Sequence, residues 1–256
     1  MEGRRLSFAS YLKYKHNDME SLEAVLKKIP YESTKLIVMD GVFSMEGDIA
    51  KLPEIVALAD KYNASVYVDE AHSLGVFGQE GRGICNHFGL TDRVDLIMGT
   101  FSKSLATIGG FIATDAETIN FLKHHSRSYI FSASISPAAT ASVIAALDVI
   151  KQEPERIKNL WEITNYSLSA FRSLGFEIGN TQTPIIPLYI RDMDKTFAIT
   201  QELYEQGVFV NPVIPPACSP DDTLIRFSLM ATHTKAQIDE AVEKLTATFK
   251  KYEIIR

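Results

Sequence analysis

The sequence predicts an α/β protein with a mostly parallel sheet, followed by a smaller C-terminal α+β domain. Short apolar segments alternate with longer segments of helical periodicity, and no internal repeat or low-complexity segment interrupts them. The chain has 256 residues, of which 46% are hydrophobic and 23% charged, which provides enough apolar mass for a large core. We expect two domains, residues 1–153 and 154–256, with the boundary at Glu153-Pro154.

The N-terminal domain is predicted to contain four short strands separated by helices and polar loops. Asp18 is suited to cap a helix over residues 19–28, and Pro53 is suited to the first turn of a helix that ends at Tyr62. The predicted strands are Lys35–Asp40, Ser65–Asp69, Val94–Met98 and Gly109–Thr114.

The pattern becomes helical after Ser136. Residues 138–150 are apolar almost all round, so we expect this helix to be buried, whereas residues 155–174 form an amphipathic helix that ends at Gly175. The remaining predicted elements are two strands, Thr183–Ile190 and Leu224–Leu229, and two helices, Asp194–Gln206 and Lys235–Lys250.

Charge and composition exclude several classes of function. The formal net charge is −6 and no long basic run occurs, so we expect no nucleic-acid partner. No apolar run is long enough to cross a bilayer, and residues 1–5 lead into no signal-peptide core, which predicts a cytoplasmic protein with at most peripheral membrane contact. Cys85 and Cys218 neither form a CxxC motif nor lie beside metal-spaced histidines, so no metal site is expected.

Reactive side chains follow three of the predicted strands. Ligands of open α/β sheets bind at the carboxyl ends of strands, so this placement favours a common site. Taken singly, each residue has an ordinary structural explanation, such as a turn or cap residue. The candidates are Ser44 after the first strand, Asp69 and His72 at the second, and Thr100, Ser102 and Lys103 after the third.

Together these residue types match the chemical needs of pyridoxal 5'-phosphate (PLP). The cofactor's aldehyde requires a lysine amine, which Lys103 offers, and its pyridine nitrogen requires a carboxylate partner, which Asp69 offers. The ring hydroxyl needs hydrogen-bond donors, a role suited to His72 and Ser44. We therefore expect PLP as the cofactor.

The loop before the lysine suits a phosphate group. Thr100 and Ser102 offer hydroxyls and backbone N–H groups just before Lys103. Gly109 and Gly110 follow, and their missing side chains allow the backbone to approach the ring or phosphate closely.

Longer motifs occur in a fixed order along the chain and carry a family resemblance. They are VDEAHSLG at residues 68–75, Gly78, GRG at 81–83, GTFSKS at 99–104 and the Gly109-Gly110 pair. From about Leu6 to the C-terminus the sequence resembles the α-oxoamine synthases, which are fold-type I, aminotransferase-like PLP enzymes. The resemblance implies an acyltransferase that condenses an amino acid with an acyl-CoA and releases CO2.

The resemblance also implies a role for each candidate. Lys103 would be the Schiff-base lysine and later the proton-transfer base, and Asp69 would pair with the pyridinium nitrogen. His72 and Ser44 would contact the ring hydroxyl, and Ala71 would pack on a ring face.

Four further positions carry over in the same way. Thr100 and Ser102 would serve the phosphate, and Arg226 would hold the carboxylate of the amino acid, a task suited to a planar guanidinium. Ser132 matches the segment that reaches the phosphate of the neighbouring subunit. We therefore expect a homodimer with shared active sites.

Three segments indicate a subgroup within the family. Residues 40–48, 209–213 and 229–234 most resemble the members that join L-serine to palmitoyl-CoA to give 3-ketodihydrosphingosine. Sister members use glycine with acetyl-CoA or alanine with a pimeloyl thioester, and they share the catalytic residues. Both remain alternatives.

The family's chains are longer at the N-terminus. This sequence starts with a segment, residues 2–8, that normally lies inside the large domain, so we expect an N-terminally truncated chain with an incomplete sheet. The absent part ordinarily supplies a phosphate-binding glycine-rich turn and a histidine that stacks on the cofactor ring, and none of the six histidines here occupies that position. A truncated non-catalytic fragment is therefore an alternative of another class.

Overall fold

The computed structural model describes residues 7–256, so the first six residues of the predicted N-terminal domain, including Leu6, lie outside the described residues. In the described part, the first sheet has the strand order β1-β2-β3-β4, with β1–β2 and β2–β3 parallel and β3–β4 antiparallel. The predicted mostly parallel arrangement is confirmed. The strands are β1 (Leu36–Asp40), β2 (Ser65–Asp69), β3 (Leu96–Thr100) and β4 (Gly110–Ala113).

The strand β3 extends to Thr100, beyond the end that the sequence predicts at Met98. The reason is its antiparallel partner, because Gly99 and Thr100 pair with Phe111 and Gly110 of β4. An added Cβ at Gly99 would lie 2.4 Å from the Phe111 ring, so this close pairing requires a glycine.

Helices cover one face of the first sheet. They are α1 (Met19–Leu26), α2 (Leu52–Tyr62) and the short α3 (Ile84–His87), and their apolar side chains form one core with Ile37 and Met39 of β1. As predicted, Asp18 caps α1 by accepting the Ser21 N–H at 2.9 Å. On the opposite face Leu36 is 51% and Val38 55% exposed, so no described element covers that end of the sheet.

Three helices follow β4: α4 (Ala116–His125), α5 (Arg127–Ile130) and α6 (Pro137–Gln152). The prediction that residues 138–150 are buried is wrong for this chain. Within α6 only Ala139 and Val143 are buried, while Ile144 is 57% exposed. The physical reason is that no described element packs against the greater part of the α6 surface.

The C-terminal part has its own sheet and core. Its elements are α7 (Glu155–Ser173), β5 (Ile185–Tyr189), α8 (Met193–Glu205), β6 (Asn211–Val213), β7 (Leu224–Ser228) and α9 (Lys235–Lys251). The strand order is β5-β7-β6, and β7 is antiparallel to both neighbours. The break between α6 and α7 falls at Glu153-Pro154, and the division into two domains stays a prediction.

Two contacts join the two cores. The Trp161 indole donates to the Val76 carbonyl at 3.0 Å and packs edge-on against Phe77, with ring centroids 4.9 Å apart. The Thr181 hydroxyl, which is fully buried, lies 2.9 Å from the Gly47 carbonyl. These contacts hold the second sheet against the carboxyl end of the first. Across residues 7–256, no helix is both long and apolar enough to span a membrane.

Candidate active site

The register of the first sheet places two carboxylates side by side. Asp40 pairs with Asp69 at the ends of β1 and β2, and the Gly41 N–H donates to the Asp69 carbonyl at 2.8 Å. Because register partners point to the same face of a sheet, both carboxylates lie on the face where Leu36 and Val38 are exposed. This edge therefore carries concentrated negative charge.

A buried carboxylate fixes the loop that follows β2. Glu70 is 1% exposed and accepts the backbone N–H groups of Ile84 at 2.7 Å and Cys85 at 2.8 Å, together with the Ser73 hydroxyl. An added Cβ at Gly83 would lie 2.5 Å from the Glu70 carboxyl carbon, which explains the glycine there. Sequence reasoning did not single out Glu70, although it lies inside the VDEAHSLG motif.

The same loop carries Asp69, Ala71 and His72. The Asp69 Oδ1 accepts the Ala71 N–H at 2.8 Å, which turns the chain at the end of the strand. Burial, followed by the positive charges of Lys103 and Arg226, lowers the pKa of His72 to about 4. The imidazole is therefore neutral at pH 7, and no hydrogen bond from residues 7–256 engages its ring.

The Lys103 residue is exposed as a whole, whereas its ammonium is partly shielded from water and lies near charges of both signs. Burial lowers its pKa and Arg226 adds to this effect, whereas Asp69 and Asp40 oppose it. Among the described residues, no hydrogen bond or ion pair involves this amine. A lysine of lowered pKa and without a partner is a better nucleophile and base than an ordinary surface lysine.

The loop that carries Lys103 presents hydroxyl groups to solvent. The Thr100 and Ser102 hydroxyl oxygens lie 2.9 Å apart, and the Thr100 hydroxyl also lies 3.2 Å from the Gly109 carbonyl. The Ser104 hydroxyl donates to the Leu74 carbonyl at 2.7 Å, which ties this loop to the one after β2.

Arg226 enters the site from the second sheet. Its Nε donates to the Ser44 carbonyl at 2.7 Å, and its Nη1 donates to the Ser228 hydroxyl at 2.5 Å. Burial lowers the pKa of the guanidinium, which still remains charged at neutral pH. The contact with Ser44 joins the loop after β1 to β7, and the other N–H groups of Arg226 stay free for a ligand.

The structure thus brings together most of the residues that the sequence singles out. Asp69, His72, Lys103 and Arg226 lie close enough for their charges to influence one another. Ser132 is different, because it lies just after α5, its hydroxyl donates to the Ser128 carbonyl of that helix, and no contact in the described chain joins it to the others. Sequence reasoning also missed Asp40, although it ends a predicted strand just as Asp69 does.

A second cluster of polar side chains lies at residues 16–48. Ligand atoms of His16, Glu46 and Asp48 lie within 4.8 Å of one another, a set that can hold a metal ion. The His16 Nε2 lies 3.0 Å from Asp48, and the Asn17 amide donates to the same carboxylate at 3.0 Å. These hydrogen bonds join the segment before α1 to the loop after β1, which is a sufficient structural reason for the cluster.

Comparisons with known proteins agree with this geometry. The family model for class I and II aminotransferases matches residues 2–245. Over 255 residues the chain is 65% identical to the serine palmitoyltransferase of Bacteroides ovatus, covering 100% of this chain and 65% of that protein. It is 43% identical over 255 residues to the 8-amino-7-oxononanoate synthase of Thermosipho melanesiensis, covering 100% of this chain and 65% of that protein.

A solved structure confirms the fold class. The chain superposes with a TM-score of 0.95 on a serine palmitoyltransferase variant from S. paucimobilis with bound PLP-myriocin aldimine, at 34% identity, covering 99% of this chain and 64% of that one. The predicted fold-type I architecture is therefore confirmed. The chain spans just under two thirds of the length of these proteins.

Proposed function

Since this chain belongs to the family of class I and II aminotransferases, we propose that it carries the Lys103 site of a PLP-dependent acyltransferase of the serine palmitoyltransferase type. The reaction condenses L-serine with palmitoyl-CoA, releases CO2 and CoA, and forms 3-ketodihydrosphingosine. The convergence of Lys103, Asp69, His72 and Arg226 at one sheet edge carries the proposal. The 65% identity to the Bacteroides ovatus enzyme supports the choice of substrates.

The side chains at this edge fit PLP. The Lys103 amine has no partner within residues 7–256, so it is available to hold the cofactor covalently, and the Asp69 carboxylate can accept the ring N–H. The neutral His72 imidazole and the Ser44 hydroxyl could donate to the ring oxygen, and Ala71 could pack on a ring face. When bound, PLP supplies an electron sink for negative charge at the α-carbon of the amino acid.

The phosphate would be held by hydroxyl groups from two loops. Thr100 and Ser102 lie just before Lys103 and present their hydroxyls outward. Ser132 would contribute from a neighbouring copy, since nothing in the described chain brings it to the same site. We therefore propose a homodimer with shared sites. The cytoplasm is proposed as its location on the sequence alone.

Arg226 and Lys103 would act on the amino acid. The free N–H groups of Arg226 can hold its carboxylate in a bidentate pair, which orients the α-carbon. Lys103, whose pKa is lowered, can then take and return a proton at that carbon. His72, which stays neutral at pH 7, would donate a hydrogen bond to the cofactor without adding charge.

Two alternatives lie within the same chemistry. An 8-amino-7-oxononanoate synthase would use alanine with a pimeloyl thioester, and the 43% identity to the Thermosipho protein keeps that activity as a second candidate. A 2-amino-3-ketobutyrate CoA ligase would use glycine with acetyl-CoA. The catalytic side chains are common to all three.

The first experiment tests whether Lys103 holds PLP. Adding PLP to the purified chain should produce an absorbance band near the visible edge, and borohydride should fix the cofactor on the peptide that contains Lys103. Lys103→Ala should lose both signals. Lys123→Ala, which removes an exposed lysine of α4, should keep both. A band that survives in Lys103→Ala would contradict the assignment.

The second experiment tests the substrates. CoA release is followed with serine and palmitoyl-CoA, with alanine and a pimeloyl thioester, and with glycine and acetyl-CoA. We expect release with the first pair. Equal inactivity with all three pairs in a chain that binds PLP would favour the non-catalytic fragment.

A further inference from the structure

We propose that Asp40 is a second carboxylate of this site, a positioning residue that acts through Asp69 and Lys103 by adding negative charge at the sheet edge. The inference deepens the proposed function and rests on it for its chemical purpose. A nearby anion favours the protonated form of a basic group. The ring nitrogen of the cofactor must carry a proton and the lysine must accept one, so an anion near both groups would assist each.

The backbone fixes the position of Asp40. It is the register partner of Asp69 on an adjacent parallel strand, which sets their Cα atoms about 4.8 Å apart on the same face of the sheet. The Asp69 carboxylate is engaged by the Ala71 N–H, whereas no hydrogen bond or ion pair from residues 7–256 engages that of Asp40. Asp40 caps no helix and closes no turn in this region, so no structural task explains a half-buried acid there.

The charges around Asp40 indicate what it does. Burial raises its pKa, and so do the negative charges of Asp69 and Glu46, whereas Lys103 lowers it. In return, Asp40 and Asp69 both raise the pKa of Lys103 against burial and Arg226. Asp40 and Asp69 therefore both favour the protonated form of the Lys103 amine.

Two tyrosines complete the set of titratable neighbours. Burial and then the charge of Asp40 raise the pKa of Tyr14. Burial, Asp69 and Asp40 raise the pKa of Tyr67. Both phenols are therefore uncharged at neutral pH, and they do not screen the carboxylate pair.

The test measures the protonation of Lys103 without the cofactor. The rate at which an amine-reactive reagent labels the Lys103 peptide is followed against pH by mass spectrometry. In Asp40→Asn the midpoint of this curve should fall by about 0.5 to 1 pH unit, because one anion is removed. Asp92→Asn removes the same charge from an exposed turn at Thr91–Arg93 and should leave the midpoint unchanged. Asp40→Glu keeps the carboxylate and should keep a midpoint near that of the wild type.

Controls separate this inference from the proposed function. Each variant must show the Trp161 emission of the wild type, and Asp40→Ser is the second neutral variant should Asp40→Asn fail to fold. An unchanged midpoint in both neutral variants, or an equal shift in Asp92→Asn, would overturn the role of Asp40. A chain that shows the shift but binds no PLP contradicts the proposed function alone, and a chain that binds PLP on Lys103 without the shift contradicts the inference alone.

Discussion

The individual residues of the site differ mainly in how their surroundings set their charge. His72 is driven to its neutral form, Arg226 keeps its charge despite burial, and Lys103 is balanced between two anions and one cation. Such opposed effects on neighbouring groups are typical of sites that move protons. The arrangement therefore predicts behaviour that can be measured on single side chains.

The first prediction concerns His72 and pH. Its pKa is about 4 in the folded chain against an ordinary value of 6.5, so between these values the unfolded chain binds more protons. Stability should therefore fall as the pH drops from 6.5 towards 4. In His72→Gln this part of the pH dependence should disappear, as measured by urea unfolding at a series of pH values. His124→Gln, at an exposed position of α4, serves as control. An identical slope in wild type and His72→Gln would refute the expectation.

A second prediction concerns Glu70. Its removal leaves the N–H groups of Ile84 and Cys85 buried without an acceptor, so Glu70→Ala should cost about 3–5 kcal/mol of unfolding free energy. Glu70→Gln keeps the shape and one oxygen acceptor and should cost less. Urea denaturation measures both. The exposed Glu162→Ala should change stability by less than about 0.5 kcal/mol, and a similarly small effect at Glu70 would show that its hydrogen bonds are dispensable.

These residues also show how far sequence reasoning reaches at this scale. That Asp69, His72 and Lys103 come together was predictable, because all three follow strand ends and the carboxyl ends of parallel strands meet. Glu70 and Asp40 were not assigned, because the sequence does not show what surrounds an acidic residue. Glu70 accepts backbone N–H groups and Asp40 lies beside another carboxylate, and neither fact can be seen in the order of residues. Their difference depends on Gly83 and on the β1–β2 register, which only the folded chain contains.

At the level of elements, local signals located most helices and strands. Asp18 and Pro53 marked two helix starts correctly. The helix α4 was missed although Asp115 caps it by accepting the Thr118 N–H at 2.8 Å, and β6 was missed because Pro212 lies inside it. The predicted burial of α6 was wrong. Burial depends on which other elements pack against a helix, and the apolar pattern of the helix does not contain this information.

The third prediction tests a cap. Thr234 and Gln237 form a capping box at the start of α9, each side chain bonding the other residue's backbone N–H. Thr234→Ala should therefore cost about 1 kcal/mol of unfolding free energy. Thr232→Ala, two residues earlier and exposed, should cost much less. Equal stability of the two variants in thermal unfolding would show that the box contributes nothing to this helix.

For the whole molecule, the important feature is that the site spans both sheets. Arg226 belongs to β7 of the second sheet, yet it bonds the Ser44 carbonyl in the loop after β1 of the first. No periodicity links positions so distant in the chain, and only the family resemblance placed Arg226 in the site. The contacts between the two cores should therefore influence both stability and the position of Arg226.

The last prediction concerns one of these contacts. The fully buried Thr181 hydroxyl lies 2.9 Å from the Gly47 carbonyl and 2.6 Å from the Ile185 carbonyl, so Thr181→Val removes a donor from both. The Ile185 carbonyl keeps the Thr183 hydroxyl at 3.5 Å. The loss should cost about 1–2 kcal/mol because both carbonyls remain buried. Trp161 is the single tryptophan and packs at the junction of the cores, so its fluorescence reports the transition in urea. Thr140→Val removes an exposed helical hydroxyl and should shift the midpoint little. If the two variants had the same unfolding midpoint, the hydrogen bonds of Thr181 would contribute nothing measurable to the stability of the junction between the cores.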